Sequence, residues 1–356
     1  MSAADDIQEV DRLPGLPHPR ETTALIGQSA AETAFLDAYK SGRFPHAWIL
    51  AGPEGVGKAT FAYRAARFVL SHPDFRAPQV QAARDLSVPA DAPSARRIVA
   101  QSHTSLFVLN RRWNPEKKRL PTEIPSDLVR KAVSFFGSTA GEGGWRVCIV
   151  DSVEDMNVTG MNSLLKVVEE PPDRSLFLIV SHLPGRLLPT IRSRCRIAPF
   201  RVLTPAEIAE AVETVAPGAF DPATVRRAAA VADGSVRGAF KLLDEDTLAI
   251  VEHIRAALER LPTLDWKDVH AIAEGLAGRA NEAAYDTAIE TVFAWLSERL
   301  HAQAEEGPAR LAPLAEVWDK IARAVRETAS YNLDRRALVL TIFTDLADAL
   351  RASRAG

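Results

Sequence analysis

The sequence predicts an α/β domain built on a parallel sheet, then a small helical module, then an all-helical C-terminal region. Short, wholly apolar runs alternate with helical segments as far as about residue 200. A glycine-rich loop joins the first of these runs to the helical segment after it. Beyond residue 203 the apolar residues recur with helical period only.

The apolar runs are Ala47–Ala51, Leu106–Leu109, Val147–Val150 and Leu176–Val180, each bounded by polar or turn residues. Continuous runs of this length suit strands buried on both faces of a parallel sheet. The helical segments between them include Ala59–Leu70, Ser126–Phe136 and Met161–Val168, so right-handed crossovers follow. Residues 1–20, rich in Asp, Pro and Gly, read as a loose lead-in, and residues 21–202 as the α/β domain. Thr204 caps a helix that starts Pro205-Ala206-Glu207, opening a helical module over 203–243. The remainder, 246–356, carries three stripes: Tyr285, Ala288, Val292, Leu296 and Leu300; Leu314, Val317, Ile321 and Val325; Leu338, Ile342, Leu346 and Leu350. A packed bundle and an oligomer seam both bury such stripes, and periodicity does not choose between them.

Of 356 residues, 43 are basic and 46 acidic, for a formal charge of -3. That balance argues against a surface that grips nucleic acid everywhere, while leaving room for a local basic patch. Nothing approaches the ~18 apolar residues of a membrane span, and the acidic, polar start does not read as a secretory signal. Cys148 and Cys195 are the only cysteines, too few for a four-thiolate zinc site or a disulfide framework. A reduced, cytoplasmic setting without membrane contact is the expectation.

The loop reads Gly52-Pro53-Glu54-Gly55-Val56-Gly57-Lys58-Ala59-Thr60, placed between a strand and a helix. Gly52, Gly55 and Gly57 allow backbone N–H groups to turn inward around phosphate oxygens, and the helix N-terminus adds partial positive charge. Lys58 is positioned to reach the outer phosphates. Position 59 departs from the pattern, because the Ser or Thr hydroxyl that holds Mg²⁺ is replaced by alanine. Thr60 carries a hydroxyl but lies ~100° further around the helix. Asp151 ends an apolar strand, where such a loop commonly places a carboxylate beside Mg²⁺. The next residue, Ser152, does not act as a base near neutral pH, and Glu154 is expected to point elsewhere.

Downstream come Asn162-Ser163-Leu164-Leu165-Lys166-Val167-Val168-Glu169-Glu170-Pro171-Pro172 and then Ser193-Arg194-Cys195. Together with Phe44-Pro45-His46-Ala47 and the phosphate loop, these stretches resemble clamp-loader subunits of the AAA+ superfamily, and among them the delta-prime subunits of bacterial DNA polymerase III. The resemblance runs by motif over residues 18–243 and by helical character beyond. It implies an AAA+ P-loop domain with a parallel sheet, a small helical lid domain and a C-terminal all-α collar domain that oligomerises. It implies that Arg194 enters the ATP site of a neighbouring subunit as an arginine finger; a surface ion pair is the plainer reading of the same residue. It assigns Ser181 the sensor 1 position and Arg237, in Gly234-Ser235-Val236-Arg237, the sensor 2 position. Cys195 reads as a packing residue, and His46 and Leu25-Ile26-Gly27-Gln28 as structural.

The ligand implied is ATP or ADP with weakly held Mg²⁺. Many members carry a zinc module in the stretch that here spans 71–105, which contains no cysteine, so no structural zinc is expected. Ala59 and Ser152 fit a motor subunit poorly. The expected role is a non-motor subunit with little or no ATPase of its own, polymerase activity residing in other subunits. The expected partners are motor subunits of the gamma/tau type and delta, and indirectly the sliding clamp and primer-template DNA. A self-sufficient AAA+ ATPase, either a clamp-loader motor or a helicase-type motor, is the alternative; a small-molecule P-loop kinase would have no use for Ser193-Arg194-Cys195. The basic residues Arg111, Arg112, Lys117, Lys118 and Arg119 around Trp113 read either as a DNA contact or as a solvated hairpin.

Overall fold

A computed structural model describes residues 9–114, 120–137, 144–277, 282–303 and 307–355. The chain divides into two units, Met1–Asp221 with Gly234–Arg237, and Pro222–Asp233 with Gly238–Gly356.

In the first unit the strands are β1 (Ala47–Ala51), β2 (Leu106–Leu109), β3 (Arg146–Val150), β4 (Ser175–Ser181) and β5 (Arg196–Pro199). They form one parallel sheet in the order β2-β3-β4-β1-β5, the core of an AAA+ P-loop domain. The helices are α1 (Ser29–Lys40), α2 (Lys58–Ser71), α3 (Pro78–Ala82), α4 (Pro93–Val99), α5 (Ser126–Gly137), α6 (Val158–Glu169), α7 (Pro189–Arg192) and α8 (Pro205–Val215). Each apolar run of the sequence becomes a strand; β1, β3 and β4 are buried on both faces, while at the edge strand β2 only Leu109 is fully buried. Trp48, Leu50, Val147, Ile149, Leu178 and Val180 pack with α1 and α2, while Ile49, Cys148, Val150, Phe177 and Ile179 pack with α5 and α6. β5 was not expected. Arg196 and Pro199 are exposed and only Ala198 is buried, so this edge strand carries too few apolar residues to register as a run.

Helix ends follow their sequence signals. Thr204 and Glu207 form a reciprocal capping box on α8, with Pro205 in the first turn. Asn157 caps α6 by accepting from the Gly160 N–H at 2.9 Å.

Residues 9–21 depart from the loose lead-in expected of them. Glu9 pairs with Arg12 at 2.9 Å and with Arg20 at 2.8 Å, and Arg12 pairs with Glu21. Arg20 also donates to the Val99 carbonyl at 3.3 Å and accepts at its own carbonyl from Arg67 at 2.7 Å. His18 is buried with its ring edge-on to Tyr63, 5.6 Å between centroids. Burial opposes ionisation of Glu9, but the two arginines outweigh it and hold its pKa at about 2. The apolar period that a sequence reading looks for is absent because charge pairing, not an amphipathic face, fixes this strap.

The second unit is helical. It comprises α9 (Pro222–Val231), most of α10 (Val236–Lys241), α11 (Glu245–Glu259), α12 (Trp266–Leu276), α13 (Glu282–Ala302), α14 (Pro308–Tyr331) and α15 (Arg335–Ala355). The three sequence stripes meet in one core: Tyr285, Val292, Leu296, Leu314, Ile321, Ile342 and Leu346 are all buried there, with Leu300 and Val325 at its margin. The packed bundle therefore accounts for the stripes.

Phe35 of α1 is fully buried, with ring contacts to Phe44, Trp48 and Phe61 at 5.0–5.6 Å. Phe35→Ala removes that keystone and leaves a cavity beneath β1. Urea denaturation is expected to show a loss of ~3–5 kcal/mol.

Candidate functional site

A parallel sheet collects its functional loops at the carboxyl ends of its strands, where the order reverses. Here that point is β1, flanked by β4 and β5. The Gly52 N–H donates to the Ser181 carbonyl at 3.3 Å, and the Phe200 N–H to the Ala51 carbonyl at 2.7 Å. The loop then turns into α2 through Gly55 (φ +75°) and Gly57 (φ +98°), both in the left-handed region that glycine reaches without penalty. A side chain at Gly55 would collide with Ser235, whose neighbour Val236 donates its N–H to the Gly55 carbonyl at 2.9 Å.

Gln28 was read only as structural. It proves to be the brace of this loop: buried, it donates to the Val56 carbonyl at 3.1 Å and to the Arg201 carbonyl at 2.8 Å. Its side-chain oxygen accepts from the Arg201 N–H at 3.3 Å. One amide thus ties the phosphate loop to the chain that leaves β5.

Lys58 is 3% exposed and turns back into its own loop, donating to the Gly52 carbonyl at 2.6 Å and to the Pro53 carbonyl. Burial lowers its pKa to about 8, against the opposing pull of Glu54, Glu154, Asp151 and Asp11. Ala59 and Thr60 follow in the first turn of α2, half-buried, and Ala59 presents no oxygen.

Asp151 lies just past β3, 5% exposed, its N–H donating to the Leu109 carbonyl at 2.8 Å. Its carboxyl faces that of Asp11 from the N-terminal strap. Asp151 Oδ2 and Asp11 Oδ2 are both buried with no protein donor to accept from. Burial first, and Asp11 second, raise the Asp151 pKa well above 3.8; Asp155 adds to the rise and Lys58 opposes it.

The position after Asp151 is occupied by Ser152, with a left-handed backbone (φ 60°) and its hydroxyl hydrogen-bonded to His182 Nε2 at 3.0 Å. Burial lowers the His182 pKa, and Lys58 lowers it further. Glu154 turns to the end of β4. Its Oε1 accepts from the Ser181 hydroxyl at 2.5 Å and from the His182 and Leu183 N–H groups at 3.0 and 2.9 Å. Ser181, fully buried, is thereby tied to a carboxylate rather than pointed at open space.

Arg237 reaches the same place from residues 234–237. Its guanidinium pairs with Glu54 at 3.4 Å and donates to the Val10 carbonyl at 3.3 Å. Gly52, Gly55, Gly57, Lys58, Asp151, Ser181 and Arg237 are therefore gathered at one end of the sheet.

Arg194 stands apart from them. It follows α7 with 40% of its side chain exposed, pairs with Glu169 at 3.0 Å and donates to the Thr190 carbonyl at 3.1 Å. Cys195 beside it has a pKa raised to about 12 by burial, so it stays a thiol. Of the basic run, Arg111 pairs with Asp155 at 2.8 Å and Arg112 is exposed; Lys117, Lys118 and Arg119 lie outside the described residues.

The glycine loop and Lys58 match a polyphosphate in kind, but in the arrangement present the cradle is shut. Lys58 is held by loop carbonyls and Arg237 by Glu54 and Val10, and Asp151 stands beside Asp11. Ala59 has nothing to offer Mg²⁺, and among the described residues no group of three or more His, Cys, Asp or Glu is arranged to hold a metal ion. Among the same residues no helix is long and apolar enough to cross a membrane.

The fold and the glycine loop define a P-loop α/β domain in which position 59 presents no hydroxyl and position 152 no carboxylate. The family described as "DNA polymerase III, delta subunit" matches residues 27–204, half of the chain. The chain belongs to this family. DNA polymerase III subunit delta' of Pseudomonas aeruginosa is 36% identical over 151 residues, 42% of this chain and 41% of that protein. DNA polymerase III subunit gamma/tau of Mycobacterium tuberculosis is 28% identical over 287 residues, 78% of this chain and 43% of that one. The chain thus spans less than half the length of either relative. A solved structure of Thermotoga maritima RuvB covers 73% of this chain and 74% of its own, at 18% identity and a TM-score of 0.39.

The Asp11–Asp151 contact carries a pH dependence. The folded-state pKa of Asp151 is raised, so stability present below the ordinary carboxylate pKa is lost as pH climbs through the folded value. Asp11→Asn removes the like charge while Lys58, Asp155, Glu154 and His182 remain. Relative to the parent, the variant is expected to gain ~1 kcal/mol between pH 5 and pH 8, read by urea denaturation at each pH.

Proposed function

We propose that this chain is a non-motor subunit of a replicative clamp loader, acting on ATP held by a neighbour rather than on ATP of its own. The observation that carries the reading is a contrast between two places on one domain. Its own phosphate site lacks the Mg²⁺ hydroxyl at Ala59 and the carboxylate base at Ser152, the latter bonded to His182. Arg194, in contrast, sits at the surface, held by one half-exposed ion pair and a local carbonyl. An exposed pair of that kind contributes little, ~0–1 kcal/mol, so a stronger anion can draw the guanidinium away. A transferring phosphoryl group is such an anion.

In this reading the gamma/tau-type motor subunits supply the ATP sites, and delta and this chain complete the ring with them. Residues 203–243 act as lid and 246–356 as the oligomerising collar. The assembly opens the sliding clamp and places it on primed DNA. Gly52, Gly55, Gly57, Lys58, Asp151, Ser181 and Arg237 are then the remains of a cis nucleotide site. The relationship to gamma/tau and delta' proteins supports the assignment to this machine. The absence of both catalytic oxygens favours it over a self-sufficient AAA+ ATPase.

The purified chain is expected to show negligible ATPase alone and to raise turnover when mixed with motor and delta subunits, clamp and primed DNA. Robust turnover by the chain alone overturns the proposal. Arg194→Ala is expected to leave assembly intact, read by size exclusion, and to slow hydrolysis at the single site it serves by ~10³-fold or more. An unchanged ATPase rate in that complex removes the finger role.

A further inference from the structure

We infer that the N-terminal strap is a built-in occupant of the phosphate site: Val10 and Asp11 stand where a nucleotide's phosphates would go and exclude them until the strap is displaced. Its tip touches the site at two independent points. The Val10 carbonyl takes a hydrogen bond from Arg237 at 3.3 Å, and the Asp11 carboxyl lies beside that of Asp151, each with one buried oxygen that has no hydrogen-bond partner. Asp11 is central enough that its charge is felt at Lys58, Asp151, Asp155 and His182. A main-chain carbonyl and a carboxylate present acceptor oxygens to Arg237 and negative charge to Lys58, the features by which a phosphate is recognised.

The placement is specified rather than incidental, because the tip is anchored on both sides. Before it, Glu9 pairs with Arg12 and Arg20 and accepts from Gln101 at 2.9 Å. After it, Arg12 donates to the Leu16 carbonyl at 3.2 Å and pairs with Glu21, while His18 is buried against Tyr63. With these anchors closed, the tip has little freedom to leave while the rest of the strap stays.

An incoming nucleotide must move it. Its phosphates would enter beside two carboxyls, Asp11 and Asp151, and Ala59 supplies no hydroxyl for the Mg²⁺ that would neutralise them. The seated and displaced states therefore compete for the same groups. The apparent affinity for nucleotide is the intrinsic one reduced by the fraction of molecules whose strap is out. This goes beyond the trans role of Arg194 and does not depend on it, since Arg194 contacts Glu169, Thr190 and Ser193 and not the strap.

The test is calorimetric titration of the full chain with ADP and with ATP, each with and without Mg²⁺, against Asp11→Ala. The variant is expected to bind at least ~10-fold more tightly, a difference of about 1.4 kcal/mol. Adding Lys58→Ala to it should abolish the gain, which places the ligand on the phosphate loop. Asp11→Asn, which relieves the like-charge contact while the strap stays seated, is expected to bind no more tightly than the parent, and tighter binding by it counts against the inference. Hydrogen exchange of the parent at saturating ADP is expected to show the amides of residues 9–16 losing protection. Equal affinity in parent and variant, no binding by either, or bound nucleotide with the strap amides still protected overturns the inference.

Discussion

A parallel sheet covered by helices on both faces offers the rest of the molecule only the ends of its strands. Every side chain of β1, β3 and β4 is buried, and between the strand ends all of them are apolar, so polar groups are left to the strand ends and the turns beyond them. Those turns bring together Gly52, Asp151, Ser181 and His182 from distant parts of the chain. The apolar sheet is therefore what concentrates charge at one rim, and the phosphate loop, the strap and the braces around them all answer to that geometry.

At that rim the balance of charge decides the state of the site. Lys58 is the buried cation and is turned onto the carbonyls of its own loop. Around it stand Glu54, Glu154, Asp151 and Asp11, an excess of carboxylates, and the adjacent Ala59 offers no hydroxyl. Low dielectric strengthens each pairing and makes each unpaired oxygen expensive. That is why burial beside Asp11 raises the Asp151 pKa, and why Glu154 gathers three donors from the end of β4. Arg194 lies outside this low-dielectric region. Its ion pair with Glu169 is exposed to solvent.

Much of the fold was legible because it rests on local rules. Continuous apolar runs became strands of the sheet, the Thr204 capping box opened α8 where expected, and the helical stripes became one bundle core. β5 escaped because an edge strand needs few apolar residues, and the strap escaped because ion pairs leave no periodic trace. The gaps at the site have one cause. Gln28 braces Val56 across 28 residues of chain and Arg201 across 173, and Arg237 meets Val10 across 227. No local signal marks either pairing.

From sequence alone came the class of site and its defects: a strand-loop-helix phosphate cradle at Gly52–Lys58, an alanine where Mg²⁺ needs a hydroxyl, a serine where water needs a base, and an arginine in Ser193-Arg194-Cys195. These are statements about which atoms a residue owns, and identity settles them. Only the tertiary structure decided where those atoms are directed: Lys58 onto its own loop, Ser152 onto His182, Asp151 onto Asp11, and Arg194 away from the site. Direction depends on long-range packing and on the electrostatics of a buried rim, both properties of the folded chain as a whole.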